Sequence, residues 1–373
     1  MRKICICQEF LTEAHKAQIR DTAEPLGFTP HFFGLDQVEE AKACLQDCEV
    51  LYAHDPDLLR AAPAALKWYC CSYAGVDPYC KDPSLFANPD CLLTNSNCYG
   101  VTIAEHVVMV LLMLLRRMPE YEEVVRNREW SNQLPIRSIR DNTFTILGTG
   151  DIGGNVADRL RGLGAARITG LSRSGQAREG FDEVLPIQRL DEALPRAQNL
   201  IMALPGTAET VHILNRARIA LLPRGAYVVN VGRGTAVEQE PLIEALNAGH
   251  LGGAALDVMD PEPLPPDHPL WSAKNLILTP HVSGNMTLGY TCDRNVELFC
   301  RDLENYAAGR PLNGLVDRAR GYKEKKKSGP GKGPPGGSVQ LFSGTGKRHR
   351  PVPRWKTACT ACGAPPSFLT LIE

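Results

Sequence analysis

The stretch TFTILGTGDIGGNVADRL, residues 143–160, restricts the possible fold more than any other part of the chain. A β-branched, apolar run leads into Gly148, Gly150 and Gly153 at G-x-G-x-x-G spacing, and an amphipathic segment follows. A strand before the glycines and a helix after them is the context that turns a common glycine turn into a phosphate cradle. Lacking side chains, Gly148 permits the tight turn, Gly150 lets backbone approach a pyrophosphate, and Gly153 lets the helix pack close to the strand. The first N–H groups of that helix then face the phosphates.

The surroundings repeat the pattern. FTILG, RITGL, NLIMAL, AYVVNV, GGAALDV and NLILTPH read as six strands, and segments such as NRARIALLP and VEQEPLIEALNAGH between them carry helical periodicity. Alternating strands and helices make a doubly wound parallel sheet. The first ~95 residues alternate in the same way. There KICIC, EVLYA and LKWYCCSY read as strands, with LTEAHKAQIRDTAEPLG and LDQVEEAKACLQD as helices. The fold class is therefore α/β, with two Rossmann-like or flavodoxin-like domains built on parallel sheets. The second is the doubly wound dinucleotide-binding one. A long apolar helix from about Thr102 to Arg117 separates the two series, and a helix from roughly Met286 to Ala308 returns to the first.

Composition removes other classes. At 373 residues, 43% hydrophobic, 22% charged and with net charge −1, the chain carries no bulk charge that calls for nucleic acid. IAEHVVMVLLMLLRR is too short to span a bilayer and contains Glu105 and His106, so no membrane partner is expected. MRKICICQEF lacks a signal-peptide core. Most of the thirteen cysteines, such as Cys5, Cys7, Cys70 and Cys71, sit in apolar strand-like runs, which suits free thiols in a reduced, cytoplasmic setting. From residue 323 to 373 the chain holds ten Lys/Arg against two Glu and is Pro/Gly-rich, which reads as a disordered basic tail. Its Cys359 and Cys362 supply only half the ligands of a zinc site, so no metal is expected.

The identity of the dinucleotide is decided at the end of the next strand. An Asp or Glu there accepts the ribose hydroxyls and repels a 2′-phosphate. RITGL runs instead into Ser172-Arg173-Ser174, with no acid beside it. An arginine between two hydroxyls can grip a phosphate through charge-assisted hydrogen bonds, so NADP(H) is favoured and NAD(H) stays open.

Three polar stations then follow at strand ends, where open α/β sheets bind ligands. Arg233 lies between glycines in NVGRGTAVEQEPLIEAL and suits a carboxylate bidentately. Glu262 sits amid prolines in LDVMDPEPLPPDHPLW, and His281 follows the last strand in LILTPHVSGN. A histidine there can give a proton to a ketone or take one from an alcohol, and a carboxylate beside it favours its protonated form. His54, in YAHDPDLL, reads as a surface histidine and is left outside the site, and Tyr73, Tyr99 and Trp271 are expected to set the pocket size.

With GTGDIGG, NVGRGTAVEQEPLIEAL, LDVMDPEPLPPDHPLW and TPHVSG in this order, residues 1–322 resemble the D-isomer-specific 2-hydroxyacid dehydrogenase family. The resemblance implies that Arg233 binds the substrate carboxylate, Glu262 tunes His281, and His281 exchanges the proton while the nicotinamide exchanges hydride. It implies cofactor contacts at Thr102, at Asp151 and Ile152 within the glycine loop, at Leu204-Pro205 and Val231-Gly232, and at Asp257 on the carboxamide. CSYAGVD looks like the family's substrate loop, in which Ala74, Gly75 and Val76 would offer N–H groups to the carboxylate.

The division that follows is a substrate-binding domain 1–98 completed by 285–322, an NADP-binding domain 99–284, and the tail. The implied activity is reduction of a small 2-keto acid, glyoxylate or hydroxypyruvate, by a homodimer paired through the helix near 102–118. Corepressors of the same fold are the alternative. Formate dehydrogenases of this fold pair the histidine with glutamine, which Glu262 disfavours.

Overall fold

Successive side chains of a strand point to opposite faces, and a strand covered on both faces can be apolar throughout. Ile4 and Ile6 enter one core while Cys5 and Cys7 enter another. In the computed structural model, which describes residues 2–323, this strand is β1 (Arg2–Cys7). With β2 (Phe28–Phe33), β3 (Cys48–Ala53), β4 (Trp68–Cys71) and β5 (Leu92–Asn95) it forms a parallel sheet in the order β2-β1-β3-β4-β5. Helices α1 (Glu13–Ala23), α2 (Val38–Leu45), α3 (Pro56–Arg60) and α4 (Asp77–Lys81) link its strands.

Helices α5 (Gly100–Leu115) and α6 (Met118–Arg126) lead to the second sheet. Its strands are β6 (Thr143–Leu147), β7 (Arg167–Ser172), β8 (Glu183–Pro186), β9 (Asn199–Met202), β10 (Ala226–Asn230), β11 (Leu251–Leu256) and β12 (Leu276–Leu278). All are parallel, in the order β12-β11-β10-β9-β6-β7-β8, with α7 (Asp151–Gly162), α8 (Leu190–Ala193), α9 (Arg216–Leu221) and α10 (Gln239–Asn247) among the connections. The order reverses at β6, whose neighbours are β7 and β9, and that reversal opens a crevice beyond the strand ends.

On one face Leu147, Leu171 and Met202 pack together; on the other Phe144, Ile146 and Ile201 meet Val107, Val110, Leu111 and Leu114 of α5. The spacing of the α5 residues is that of one helix face.

Helix α11 (Gly289–Ala307) returns to the first sheet, placing Val296, Phe299 and Leu303 against Ile4, Ile6, Tyr52 and Trp68. Phe299 stacks on Tyr52 with centroids 4.2 Å apart, and the Tyr52 hydroxyl donates to Asn295 Oδ1 at 2.7 Å. A short antiparallel ladder of β13 (Val316–Asp317) and β14 (Tyr322–Lys323) ends the described chain.

Three strands were absent from the sequence reading: β2, β5 and β8, each at an edge of its sheet. The second sheet accordingly has seven strands rather than six. Edge strands need bury only part of their surface and tolerate residues that break an apolar run. Pro30 stands opposite Ile4 in β2, and β8 is EVLP.

The eleven described cysteines are free thiols, and Cys359 and Cys362 lie outside the described residues with the rest of the basic tail. Among the described residues no helix is long and apolar enough to cross a membrane.

Candidate active site

The loop between β6 and α7 is built on close approaches. Gly148 takes φ +97°, a left-handed conformation that glycine adopts without penalty. A Cβ on Gly153 would stand 1.9 Å from the Gly148 carbonyl oxygen, so any side chain there would push helix from strand. Gly150, at the N-cap of α7, has nothing within 4 Å of a Cβ position and opens onto the cleft. Room for a ligand against bare backbone at a helix N-terminus is what a pyrophosphate requires. Ile152 lines the same cleft, whereas Asp151 turns away and packs over Gly100 at the start of α5.

Loops following β4, β6, β9, β10, β11 and β12 surround one cavity of about 580 Å³. Leu204, Pro205, Val231 and Gly232 form part of its wall, as do Ala74, Gly75 and Val76. The 72–76 loop is braced by two other residues of the cavity wall. Asn95 Nδ2 donates to the Ala74 carbonyl at 2.6 Å, and Tyr99 Oη donates to the Ser72 carbonyl at 3.0 Å. Burial holds the Tyr99 phenol well above its ordinary pKa, so it stays a donor. Among the described residues, the amides of Ala74, Gly75 and Val76 have no protein acceptor.

Arg233 projects into this cavity from the turn after β10. Its Nη1 donates to the Gly232 carbonyl at 2.7 Å, while Nε and Nη2 donate to Asp77 Oδ1 at 3.1 and 2.9 Å. A Cβ on Gly75 would lie 1.9 Å from Arg233 Nη2. A side chain there would displace the guanidinium, which passes directly over the backbone.

His281 and Glu262 line the same cavity. His281 Nδ1 lies 2.8 Å from Glu262 Oε2, so this nitrogen carries a proton and donates it to the carboxylate. Glu262 is fixed in turn by the Met259 amide, which donates to Oε1 at 2.8 Å. His281 adopts φ +55°, an uncommon conformation for a side-chain-bearing residue. Its amide donates to the carbonyls of Asp257 and Thr279, both at 2.9 Å.

Asp257, expected at the nicotinamide carboxamide, is 2% exposed and outside the cavity lining. Its carboxylate accepts from Thr279 Oγ1 at 2.6 Å and from the amides of Val282 and Ser283 at 2.9 and 3.0 Å. It thereby braces the loop that presents His281. Behind it, burial pushes the His106 pKa down against the opposing pull of Asp257, which leaves a neutral ring beside Thr279.

Ser172 ends β7, Arg173 and Ser174 follow it, and all three lie outside the cavity lining. The two hydroxyls accept from the amides of Gly175 and Gln176 at 3.1 and 3.4 Å, shaping a turn. Thr102 also lies outside, sharing a hydrogen bond of 2.9 Å with Thr291.

Two further expectations change. His54 belongs to the cavity wall, its ring stacked on Tyr73 with centroids 4.0 Å apart and Nδ1 3.1 Å from Tyr79 Oη. Trp271 does not: its indole donates to the Pro265 carbonyl at 2.8 Å on the outer surface, so Tyr73 and Tyr99 line the pocket without it.

With this geometry in place, comparison with known proteins is direct. Residues 108–283 match the family model for the D-isomer specific 2-hydroxyacid dehydrogenase, NAD binding domain. Glyoxylate/hydroxypyruvate reductase A of Salmonella newport (strain SL254) is 34% identical over 223 residues, covering 60% of this chain and 70% of that protein. The chain belongs to the D-isomer specific 2-hydroxyacid dehydrogenase family.

Solved structures agree with that membership. A family protein from Aeromonas salmonicida subsp. salmonicida A449 superposes with TM-score 0.73 at 33% identity, covering 85% of this chain and 99% of that one. An NADPH-dependent glyoxylate/hydroxypyruvate reductase from Sinorhizobium meliloti, solved with NADP and sulfate, gives TM-score 0.73 at 28% identity over 86% of this chain and 100% of that one.

In this dehydrogenase, sequence reasoning missed Asp77, Arg178 and Tyr322. Asp77 stood immediately after Ala74, Gly75 and Val76, as the last residue of CSYAGVD. Arg178 lies over Gly154 and donates to the Thr149 carbonyl inside the glycine loop, and no local pattern marks it. Tyr322 lines the cavity from the far end of the described chain.

Proposed function

We propose that this dehydrogenase reduces a small 2-keto acid of the glyoxylate or hydroxypyruvate type to the D-2-hydroxy acid, using NADPH. The observation that carries this reading is the placement of Arg233 and the His281–Glu262 pair on the wall of one cavity, beside the open backbone at Gly150. The cradle fits the dinucleotide: Gly150 leaves space for a pyrophosphate, and the Ser172-Arg173-Ser174 turn carries no acid that would repel a 2′-phosphate. NADP(H) is accordingly favoured over NAD(H). When bound, the nicotinamide supplies the hydride.

The chain's own residues do the rest. Asp77 and Gly232 hold the Arg233 guanidinium, whose remaining N–H bonds meet the substrate carboxylate together with the amides of Ala74, Gly75 and Val76. Because Nδ1 is committed to Glu262, the proton given to the carbonyl oxygen comes from Nε2 of His281. The half-buried Tyr73, with His54 stacked on it, limits the side chain that the keto acid can carry. In this reading residues 1–98 and 285–322 form the substrate lobe and 99–284 the cofactor lobe. The site works in a reduced, cytoplasmic setting.

The test is NADPH oxidation across a panel of 2-keto acids. Turnover with the smallest members supports the reading; tight NADPH binding without turnover of any member overturns it.

The same reading includes a homodimer. Met109 and Leu112 on α5, Val125 on α6 and Trp130 just beyond are exposed, Trp130 by 99%. Such a patch marks a protein contact. Sedimentation should show a dimer, and Trp130→Glu with Leu112→Glu should give monomer; a wild-type monomer contradicts the assignment.

A further inference from the structure

The chain beyond α11 completes neither sheet, yet it comes back to the cleft. The Asn95 amide donates to the Gly314 carbonyl at 3.0 Å, and Val316 packs in the core beside Leu93 and Phe86. Asp317 then folds a turn, its carbonyl accepting from the amides of Arg320 and Gly321 at 3.1 and 2.9 Å. Gly321 takes φ +74°, and Tyr322 pairs with Asp317 across the ladder.

This turn carries Tyr322 to the cavity wall, which it shares with Pro78 and Lys81 from the first sheet and with Gly150 and Ile152 from the second. There the Arg173 guanidinium lies 4.1 Å over the Tyr322 ring. A residue anchored on the first sheet therefore touches the arginine that follows β7 in the second.

A guanidinium lying over an aromatic face keeps its N–H donors in its own plane, clear of the ring. Its rotamer is selected before a ligand arrives, which removes part of the ordering cost of binding. The anion expected at the end of the second strand of a dinucleotide-binding sheet is a 2′-phosphate on the ribose.

We propose that Tyr322 is a specificity-determining residue for the phosphorylated dinucleotide, holding Arg173 in the orientation that receives the 2′-phosphate. The inference rests on the NADP(H) reading above and deepens it: the phosphate is recognised by an arginine from one sheet and an aromatic residue delivered from the other. The hydroxyl of Tyr322 has no part in this, so phenylalanine should serve equally well.

Equilibrium binding of NADPH and of NADH, followed by nicotinamide fluorescence on the full chain, tests it. Tyr322→Ala should weaken NADPH binding by about three- to tenfold, the size of a partly exposed cation–π contact, and leave NADH binding unchanged. Tyr322→Phe should bind both as the wild type does.

An unchanged NADPH-to-NADH ratio in Tyr322→Ala, with the wild type preferring NADPH, overturns the role of Tyr322 alone. A loss in Tyr322→Phe equal to that in Tyr322→Ala overturns it too. A wild type with no preference for NADPH overturns the cofactor reading and this inference with it.

Discussion

Asp77 clasps Arg233 along the Nε–Nη2 edge of its guanidinium, with a shortest contact of 2.9 Å between residues 156 positions apart. The carboxylate occupies one edge of the fork and so decides which N–H bonds remain for a substrate. Asp77→Asn should lower kcat/KM for the keto acid by about ten- to a hundredfold, the equivalent of one or two charge-assisted hydrogen bonds. NADPH affinity should be unchanged. Gly75→Ala, which places a methyl where Nη2 lies, should give a similar loss. Steady-state kinetics with separate cofactor titrations check both, and a wild-type kcat/KM in either variant would contradict the arrangement.

In the proposed reaction His281 and Glu262, 2.8 Å apart, are the proton-transfer pair. Removing the imidazole in His281→Ala should reduce kcat by roughly a hundred- to ten-thousandfold, as expected for loss of a positioned general acid. Glu262→Gln should reduce it less, because the amide can still accept from Nδ1 but carries no charge. Both variants should retain NADPH binding. A pH–rate profile in Glu262→Gln identical to that of the wild type would show that the carboxylate does not act through His281.

The proposed cofactor preference is assigned to Arg173. Arg173→Ala should cut the ratio of kcat/KM for NADPH over NADH by about ten- to a hundredfold, since charged hydrogen bonds to a phosphate are lost and none to NADH is. The comparison needs only initial rates with both cofactors. An unaltered ratio would place the phosphate contact elsewhere.

Glu49 should contribute to acid stability. Arg2 Nε and Nη2 donate to its two oxygens, both at 2.8 Å, and Tyr306 Oη donates to Oε1 at 2.7 Å. The Arg2 hydrogen bonds, with help from Tyr306, pull its pKa down to about 2. A depressed carboxylate pKa means the folded state binds the proton less readily than the unfolded one. Its contribution is complete above an unfolded value near ~4.3 and disappears as pH falls through about 2. Glu49→Gln should flatten that part of the stability curve. Urea midpoints measured from neutral pH downward check it, and parallel curves for the two proteins would count against this pair.

Interior strands such as NLIMAL and AYVVNV declared themselves as apolar runs because both faces are covered. Edge strands β2, β5 and β8 did not, since their composition answers to one neighbour and to solvent. The same division holds in the site. Arg233, Glu262 and His281 were legible because each follows a strand of the dinucleotide-binding sheet, where ligands gather. His54 is exposed, as read, but its place on the cavity wall was not legible, because only the packing of Tyr73 and Tyr79 brings it there.

The sequence by itself determined the sheet-and-helix alternation, the glycine loop and the three polar stations, all of which rest on local spacing along one strand, turn or helix. Only the tertiary structure decided that Asp77 holds Arg233, that Asp257 braces the His281 loop, and that Tyr322 lies under Arg173. These are pairings between loops that the two sheets bring together. Their strength depends on distance and burial in space, and spacing along the chain carries no record of either.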